Sequence, residues 1–392
     1  MIPARNGGLY LKEAINSVLS QKFEDYELII SDDNSTDNSR EYLKTLKHPN
    51  VKVLFPEPGM SMSEHWDYVQ SKSIGIWQIF LGQDDGLQPY FFEYAEYLTN
   101  LANKKNIRTI MSSRAYFFWP GVEDTYGEIA VSYNAIPKEI TLNSKKEALK
   151  ALLGLQSYFE LPEAYTTSIF NKSIFDETRK LQNGKLFLSH PQDANLAAIA
   201  CSLEKIYLKT LIPLGWVGSS PKSAGLAITD KKEELSELRS DYLQKIKNSK
   251  IIYRCDLGDF SFGSLAAYLW QAFIQTPTLR PQRVNKILES VLFKSLVLGG
   301  IRNYVKIHYA KEKEFLDIVK NNHCSLILIN IVSFILQFIS FMDKNVHRIR
   351  NKFYKLIYCT QNIHIKQSEF LGKSLNDASN LSMQCYLNVK KL

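Results

Sequence analysis

The amino-acid sequence predicts an α/β fold, with a mostly parallel sheet flanked by helices, followed by an α-helical C-terminal region. Three observations predict it. Short apolar runs alternate with amphipathic helical patterns across residues 1–119, which is the rhythm of βαβ units. Two of those runs end in paired acids, Asp32-Asp33 and Asp84-Asp85; in open α/β sheets, ligands bind outside the carboxyl ends of the strands. From residue 230 the rhythm stops and helical patterns take over.

In chain order, M-I-P-A-R-N-G-G reads as the end of a strand and a loop. Residues 8–21 carry Leu11, Ala14, Ile15, Val18 and Leu19 at helical spacing. Residues 26–31 form a second strand, and Ser35 or Thr36 is expected to cap a helix over 37–47. A third strand covers 50–55, and a third helix covers 62–71 with Trp66 and Val69 inward. The apolar run 77–81 suits a strand buried on both faces, followed by Asp84, Asp85 and Gly86. An amphipathic helix is expected over 89–104 and a fifth strand over 108–119. Residues 120–165, with Pro120, Pro137 and Pro162, read as irregular.

Composition narrows the class. The 392 residues have globular proportions of apolar, aromatic and charged side chains, enough for two domains. The net charge of +8 is uneven: residues 1–228 hold 23 basic against 26 acidic side chains, and residues 229–392 hold 25 against 14. A local basic face, suited to an anionic membrane surface, fits this better than a nucleic-acid-binding protein. Five scattered cysteines with no C-x-x-C pair indicate neither a zinc site nor a disulfide framework. No G-x-G-x-x-G follows the first strand and no G-x-x-x-x-G-K-[ST] occurs, so dinucleotide-binding and P-loop chemistry are unsupported. Paired acids at strand ends suit a hard divalent cation held by few protein oxygens and several phosphate oxygens.

Four motifs in register carry a resemblance: I-P-A-R-N-G, Y-L-K-E-A-I-N-S-V-L-S-Q, Y-E-L-I-I-S-D-D-N-S-T-D-N-S and F-L-G-Q-D-D-G-L-Q-P. Over residues 1–100, and more loosely to 225, the chain resembles the family 2 glycosyltransferases of the GT-A fold, the nucleotide-diphospho-sugar transferase architecture. That resemblance implies a GT-A domain over 1–228 and a helical, basic, membrane-leaning region over 229–392. It implies that Pro3, Arg5 and Asp33 line the base pocket with Asp32 supporting it. Arg5 stands where the family usually has an aromatic, and a guanidinium can stack on a base in its place. The family's first strand is longer than the residues before Ile2-Pro3 here, which implies a shortened strand. The family's D-x-D position falls on Asp84-Asp85, with its first acid replaced at Gly82 or Gln83. Asp85 is therefore expected to hold a divalent cation, Mn²⁺ or Mg²⁺, and Asp84 to lie near the ribose or a metal-bound water.

Farther along, S-H-P-Q-D-A-N-L-A-A-I-A places Asp193 in the first turn of a helix. There it either complements the helix dipole or, as the resemblance implies, serves as the general base of an inverting transfer. His190 could assist it or simply pack. The run L-I-P-L-G-W-V-G-S-S-P-K resembles the family's closing strand and the loop after it, with Lys222 offered to the donor phosphates.

Helices are expected over 230–250, 260–275 and 283–310. Residues 325–342 hold no formal charge, the lower limit for spanning a bilayer. Asn330, Ser333, Gln337 and Ser340 form a polar stripe that Lys344 and His347 continue, and Arg348, Arg350, Lys352 and Lys355 follow. Such a helix can lie in the membrane interface, pack on a partner helix, or be buried in a helical domain. Residues 360–392 read as a polar tail.

These readings point to an inverting, metal-dependent transferase acting in the cytoplasm at the inner face of the plasma membrane. Its expected partners are a nucleotide-sugar donor and a cell-surface glycan or lipid-linked acceptor. A non-catalytic nucleotide-sugar-binding or membrane-scaffold protein is the alternative.

Overall fold

The computed structural model describes residues 1–223, 240, 241, 244, 245, 265–307, 312–358 and 360–390. The helix expected over 230–250 lies outside the described residues apart from those four positions, as does the start of the one expected over 260–275.

The N-terminal third follows the expected alternation. Strand β1 (Ile2–Ala4), helix α1 (Gly8–Leu19), β2 (Leu28–Asp32), α2 (Ser39–Thr45), β3 (Val51–Leu54) and α3 (Met62–Ser71) build a parallel sheet in the order β1-β2-β3. α1 buries Leu11, Ala14, Ile15 and Val18, the row its spacing predicts. α3 starts on a capping box: the Ser61 hydroxyl accepts from the Glu64 amide, and Glu64 accepts from the Ser61 amide at 2.9 Å. α2 differs from expectation. Its N-cap is Asn38 and makes no side-chain cap, because Ser35 accepts from the Asn6 amide and Asn6 from the Thr36 amide.

Strand β4 (Trp77–Ile79) runs beside Met1, whose amine donates to the Ile79 carbonyl at 3.0 Å and whose carbonyl accepts from Leu81 at 2.9 Å. After it come β5 (Gly86–Leu87) and α4 (Phe91–Lys104). The expected single strand 108–119 is instead two, β6 (Thr109–Ser112) and β7 (Ala115–Phe118), which enter different sheets and leave Ser113 and Arg114 at the break.

The expected irregularity of 120–165 is corrected too. The segment holds α5 (Glu123–Tyr126), β8 (Ile129–Ala135), β9 (Glu139–Asn143) and α6 (Ser144–Leu152). Then follow β10 (Ser168–Asn171), α7 (Lys172–Leu181), α8 (Gln192–Leu203), β11 (Ile206–Thr210) and β12 (Gly215–Ser219). β11 is parallel to β6 and β12 to β7, while β10, β9 and β5 join antiparallel.

The C-terminal region is helical through α9 (Leu265–Gln275), α10 (Gln282–Glu289), α11 (Val291–Ile307), α12 (Glu312–Asn321) and α13 (Leu326–Ile357). It shares a core with the first region: Ala267, Leu269 and Trp270 of α9 pack with Ala194, Ala197 and Ala198 of α8 and Ala151 of α6. α8 is therefore buried on every side from Gln192 to Cys201, as an all-round apolar helix must be.

The boundary drawn at 228 lies outside the described residues, but the reading of residues 360–392 as a loose tail needs correction. β13 (Gln361–Lys366) pairs antiparallel with β8, and α14 (Leu375–Lys390) lies on the N-terminal core. Tyr386 stacks on Tyr90 with ring centroids 3.9 Å apart, and the Trp216 indole donates to Ser379 at 3.0 Å. The last thirty residues thus complete the first domain.

Candidate active site

On one wall stand the residues expected to hold a nucleotide. Pro3 is buried in β1 opposite Ser31, and the carboxyl ends of β1 and β2 present Arg5 and Asp33 side by side. Arg5 donates its amide to Gln83 at 2.8 Å and places its guanidinium 3.4 Å from both Asp33 and Asp241. Lys245 also donates to Asp33. Asp33 is buried with its Oδ1 unpartnered. Burial pushes its carboxyl up to about 6, against the opposing pull of Arg5. A nucleotide entering here must exchange these ion pairs. Asp32 is fully buried and accepts from the Ser35 amide and from Arg40, so it supports the loop without facing the cleft. Lys222 donates to the Asn6 carbonyl at 2.8 Å and pairs with Asp37 at 3.3 Å. The structure thus brings it to the β1 loop, with its charge already engaged.

The turn at 82–85 separates the two acids by role. Both oxygens of Asp85 are taken by backbone amides, Gly82 at 2.8 Å and Gly218 at 2.7 Å. Burial, then the neighbouring Asp84 charge, push its carboxyl up to about 8. Asp85, the expected cation ligand, thus also fixes the turn, and each of its oxygens keeps a second lone pair. Asp84 is more exposed and accepts from the hydroxyls of Ser220 and Ser223 through Oδ2. Burial raises its pKa, and the two serines work against that. β12 can come this close only because residue 218 is glycine: a Cβ there would lie 1.7 Å from the Asp84 carbonyl oxygen. Among the described residues no group of three His, Cys, Asp or Glu could hold a metal. The donor set therefore fits a cation that takes one protein carboxylate, Asp84, and fills its shell from phosphate and water, and does not fit an all-protein cage.

The opposite wall carries Asp193 in the first turn of α8. The Tyr158 hydroxyl donates to its Oδ2 at 2.8 Å, and the Ala194 amide donates to Oδ1. Burial raises the Asp193 pKa, while Tyr158, Ala194 and the Arg114 charge oppose the rise. His190 shares a 2.7 Å hydrogen bond with Ser63, and burial lowers it to about 4. It is a neutral packing residue, turned to α3.

Three features escaped the sequence reading. Arg114, at the break between β6 and β7, pairs at 2.6 Å with the fully buried Glu163. Burial, partly offset by Arg114, raises Glu163 to about 7. Tyr165, in the left-handed region at φ +82°, bridges the two walls. Its ring lies 3.4 Å from where a Gly82 Cβ would be, and its hydroxyl accepts from Gln192 at 3.3 Å. Burial and the charges of Asp193, Asp85 and Glu163 push its phenol well up. Ser220 and Ser223 are the third. The only signal for any of these was the W-V-G-S-S-P-K run; the others depend on long-range contacts.

The site thus has acids at strand ends, a glycine-dependent turn, and the buried acids Asp193 and Glu163, on an α/β sheet. Comparison with known proteins agrees with the motif reading. Residues 1–154 match the model of glycosyl transferase family 2. The chain is 31% identical over 109 residues to an uncharacterized glycosyltransferase of Rickettsia conorii, covering 27% of this chain and 18% of that one. It is 25% identical over 256 residues to one of Rickettsia bellii, covering 64% and 34%. A Haemophilus influenzae relative is 32% identical over 87 residues, covering 22% and 35%. The matches thus span about a third or less of these relatives' lengths. Among solved structures, S. aureus TarS 1–349 in complex with UDP-GlcNAc aligns with a TM-score of 0.43 at 14% identity, covering 82% of this chain and 89% of that one.

Proposed function

We propose that the chain is an inverting, metal-dependent glycosyltransferase. It would move one sugar from a nucleotide-sugar donor to a cell-surface glycan acceptor of the lipopolysaccharide, capsule or lipid-linked oligosaccharide type. The work would take place in the cytoplasm at the inner face of the plasma membrane. The observation that carries this reading is the place of Tyr165, between the turn acids Asp84 and Asp85 and the buried Asp193, with Glu163 beside it.

In the transfer, Asp193 takes the proton of the acceptor hydroxyl as its oxygen attacks the anomeric carbon. The bond from that carbon to the diphosphate oxygen breaks, and the nucleoside diphosphate leaves with the electron pair. Attack from the Asp193 side, opposite the leaving group, inverts the anomeric centre. Asp33 and Arg5 hold the nucleoside, and Lys222 is within reach of the phosphates once it leaves Asp37. A divalent cation on Asp84, Mn²⁺ or Mg²⁺, would neutralise charge on the leaving diphosphate.

The test is thermal stabilisation by a panel of nucleotide sugars with and without Mn²⁺, followed by nucleoside diphosphate release with acceptor present. Stabilisation together with release supports the reading. Stabilisation by a nucleotide sugar with no release against any acceptor would favour a nucleotide-sugar-binding protein without catalysis.

A further inference from the structure

The first half of α13 has two unlike sides. Inward, Ile329, Val332, Ser333 and Leu336 are buried against α11. Gly299 of α11 permits that approach, since a Cβ there would meet Val332 at 2.4 Å. Ser333 is therefore in the contact with α11, whereas Asn330 and Gln337 of the polar stripe are exposed. Beside them runs an exposed apolar row. Ile327, Ile331, Phe334, Ile335, Phe338 and Phe341 are all exposed, Phe334 by 71% and Phe338 by 61%. Their spacing puts them in one row along ~20 Å of helix. Single exposed apolar residues are ordinary, but a continuous row marks a docking surface.

Among the described residues no single helix is long and apolar enough to cross a membrane. The second half of the same helix carries Lys344, Arg348, Arg350, Lys352 and Lys355 against one acid, Asp343. We propose that α13 seats its apolar row in the surface of an anionic lipid bilayer, parallel to the membrane plane. A second copy of the chain could cover the apolar row but would leave the basic half without counter-charge. An anionic bilayer answers both features. The inference rests on α13 alone and is independent of the donor and base assignments.

The test is co-sedimentation of the full chain with phosphatidylcholine vesicles, with and without phosphatidylglycerol. A parallel arm uses a Phe334→Ser/Phe338→Ser double variant, whose exposed positions spare the core. The expected result is binding that needs the anionic lipid and weakens with salt. The double variant should bind about tenfold less tightly or worse, a change of ~1.4 kcal/mol, with its melting temperature and donor-induced stabilisation unchanged. Equal vesicle binding by parent and variant would overturn the proposal. So would a parent that ignores vesicles but forms an oligomer, by sedimentation velocity, that the double variant abolishes.

Discussion

The hydroxyl of Tyr158 donates a 2.8 Å hydrogen bond to Oδ2 of Asp193, so a tyrosine works against the rise that burial imposes on this carboxyl. A hydrogen bond to the ionised form lowers a carboxyl pKa, and burial raises it. Removing the donor leaves burial less opposed. A base must be ionised to work, so activity falls as pH drops through its pKa. In Tyr158→Phe the acidic limb of kcat/KM is expected to move to higher pH, with maximal activity retained on the alkaline side. An unmoved limb in the pH–rate profile would show that Tyr158 does not tune the acid.

Asp33 bears on stability. Its carboxyl, pushed up to about 6 by burial, lies above the 3.8 of an unperturbed aspartate, so the folded protein holds the proton more tightly. Stability from this group is present at low pH and is lost as pH rises from about 4 to about 6. Asp33→Asn, neutral at every pH, is expected to melt higher than the parent at pH 7.5, with the gap closing near pH 4. The same variant is expected to bind nucleotide more weakly. Calorimetry across pH measures both effects.

Tyr165 holds φ +82°, which costs a non-glycine residue ~1–3 kcal/mol. Glycine adopts that conformation freely but forfeits the edge-on contact with Trp66, ring centroids 5.1 Å apart. Truncating a packed aromatic costs ~3–5 kcal/mol, so Tyr165→Gly is expected to melt several degrees below the parent despite that relief. Transfer should still drop by about tenfold or more, because the bridge between the walls is gone. Unchanged turnover would make Tyr165 a packing residue.

The C-terminal return makes a claim about cooperativity. Tyr386 is buried against Tyr90, and truncating a buried aromatic costs ~3–5 kcal/mol. Tyr386→Ala is expected to lower the melting of the N-terminal half by several degrees in one transition. A tail independent of that half would leave its melting unchanged.

Much of this was legible in the sequence, and the rest was hidden for physical reasons. Helix 62–71 was readable to the residue because S-M-S-E carries its own cap. Asp33 and Asp193 were readable because strand ends and helix starts announce themselves locally. The split at Ser113–Arg114 was not, since each half pairs with a strand almost a hundred residues away. Q-N-I-H-I-K alternates faintly, and only its pairing with β8 makes it a strand. Nor can adjacency tell Asp84 from Asp85. What separates them is that the Gly82 and Gly218 amides each hold one oxygen of the second acid. One consequence is practical: Asp85→Asn would turn an amino group toward a backbone amide, so lost activity there would report a disrupted turn as readily as a lost ligand.

The central claim is that Asp193 is the base, and Asp193→Asn tests it most directly. The substitution keeps shape and a hydrogen-bonding oxygen but cannot take the acceptor's proton. Nucleotide affinity by calorimetry and sugar transfer by product formation are measured on the same protein. The expected result is donor affinity like the parent's, since Asp33 and Asp84 stand on the other wall, with transfer slowed by ~10²–10⁴. Transfer at the parent's rate, with only ~0.3–1 kcal/mol of stability lost, would make Asp193 a complement to the dipole of α8 and contradict the account.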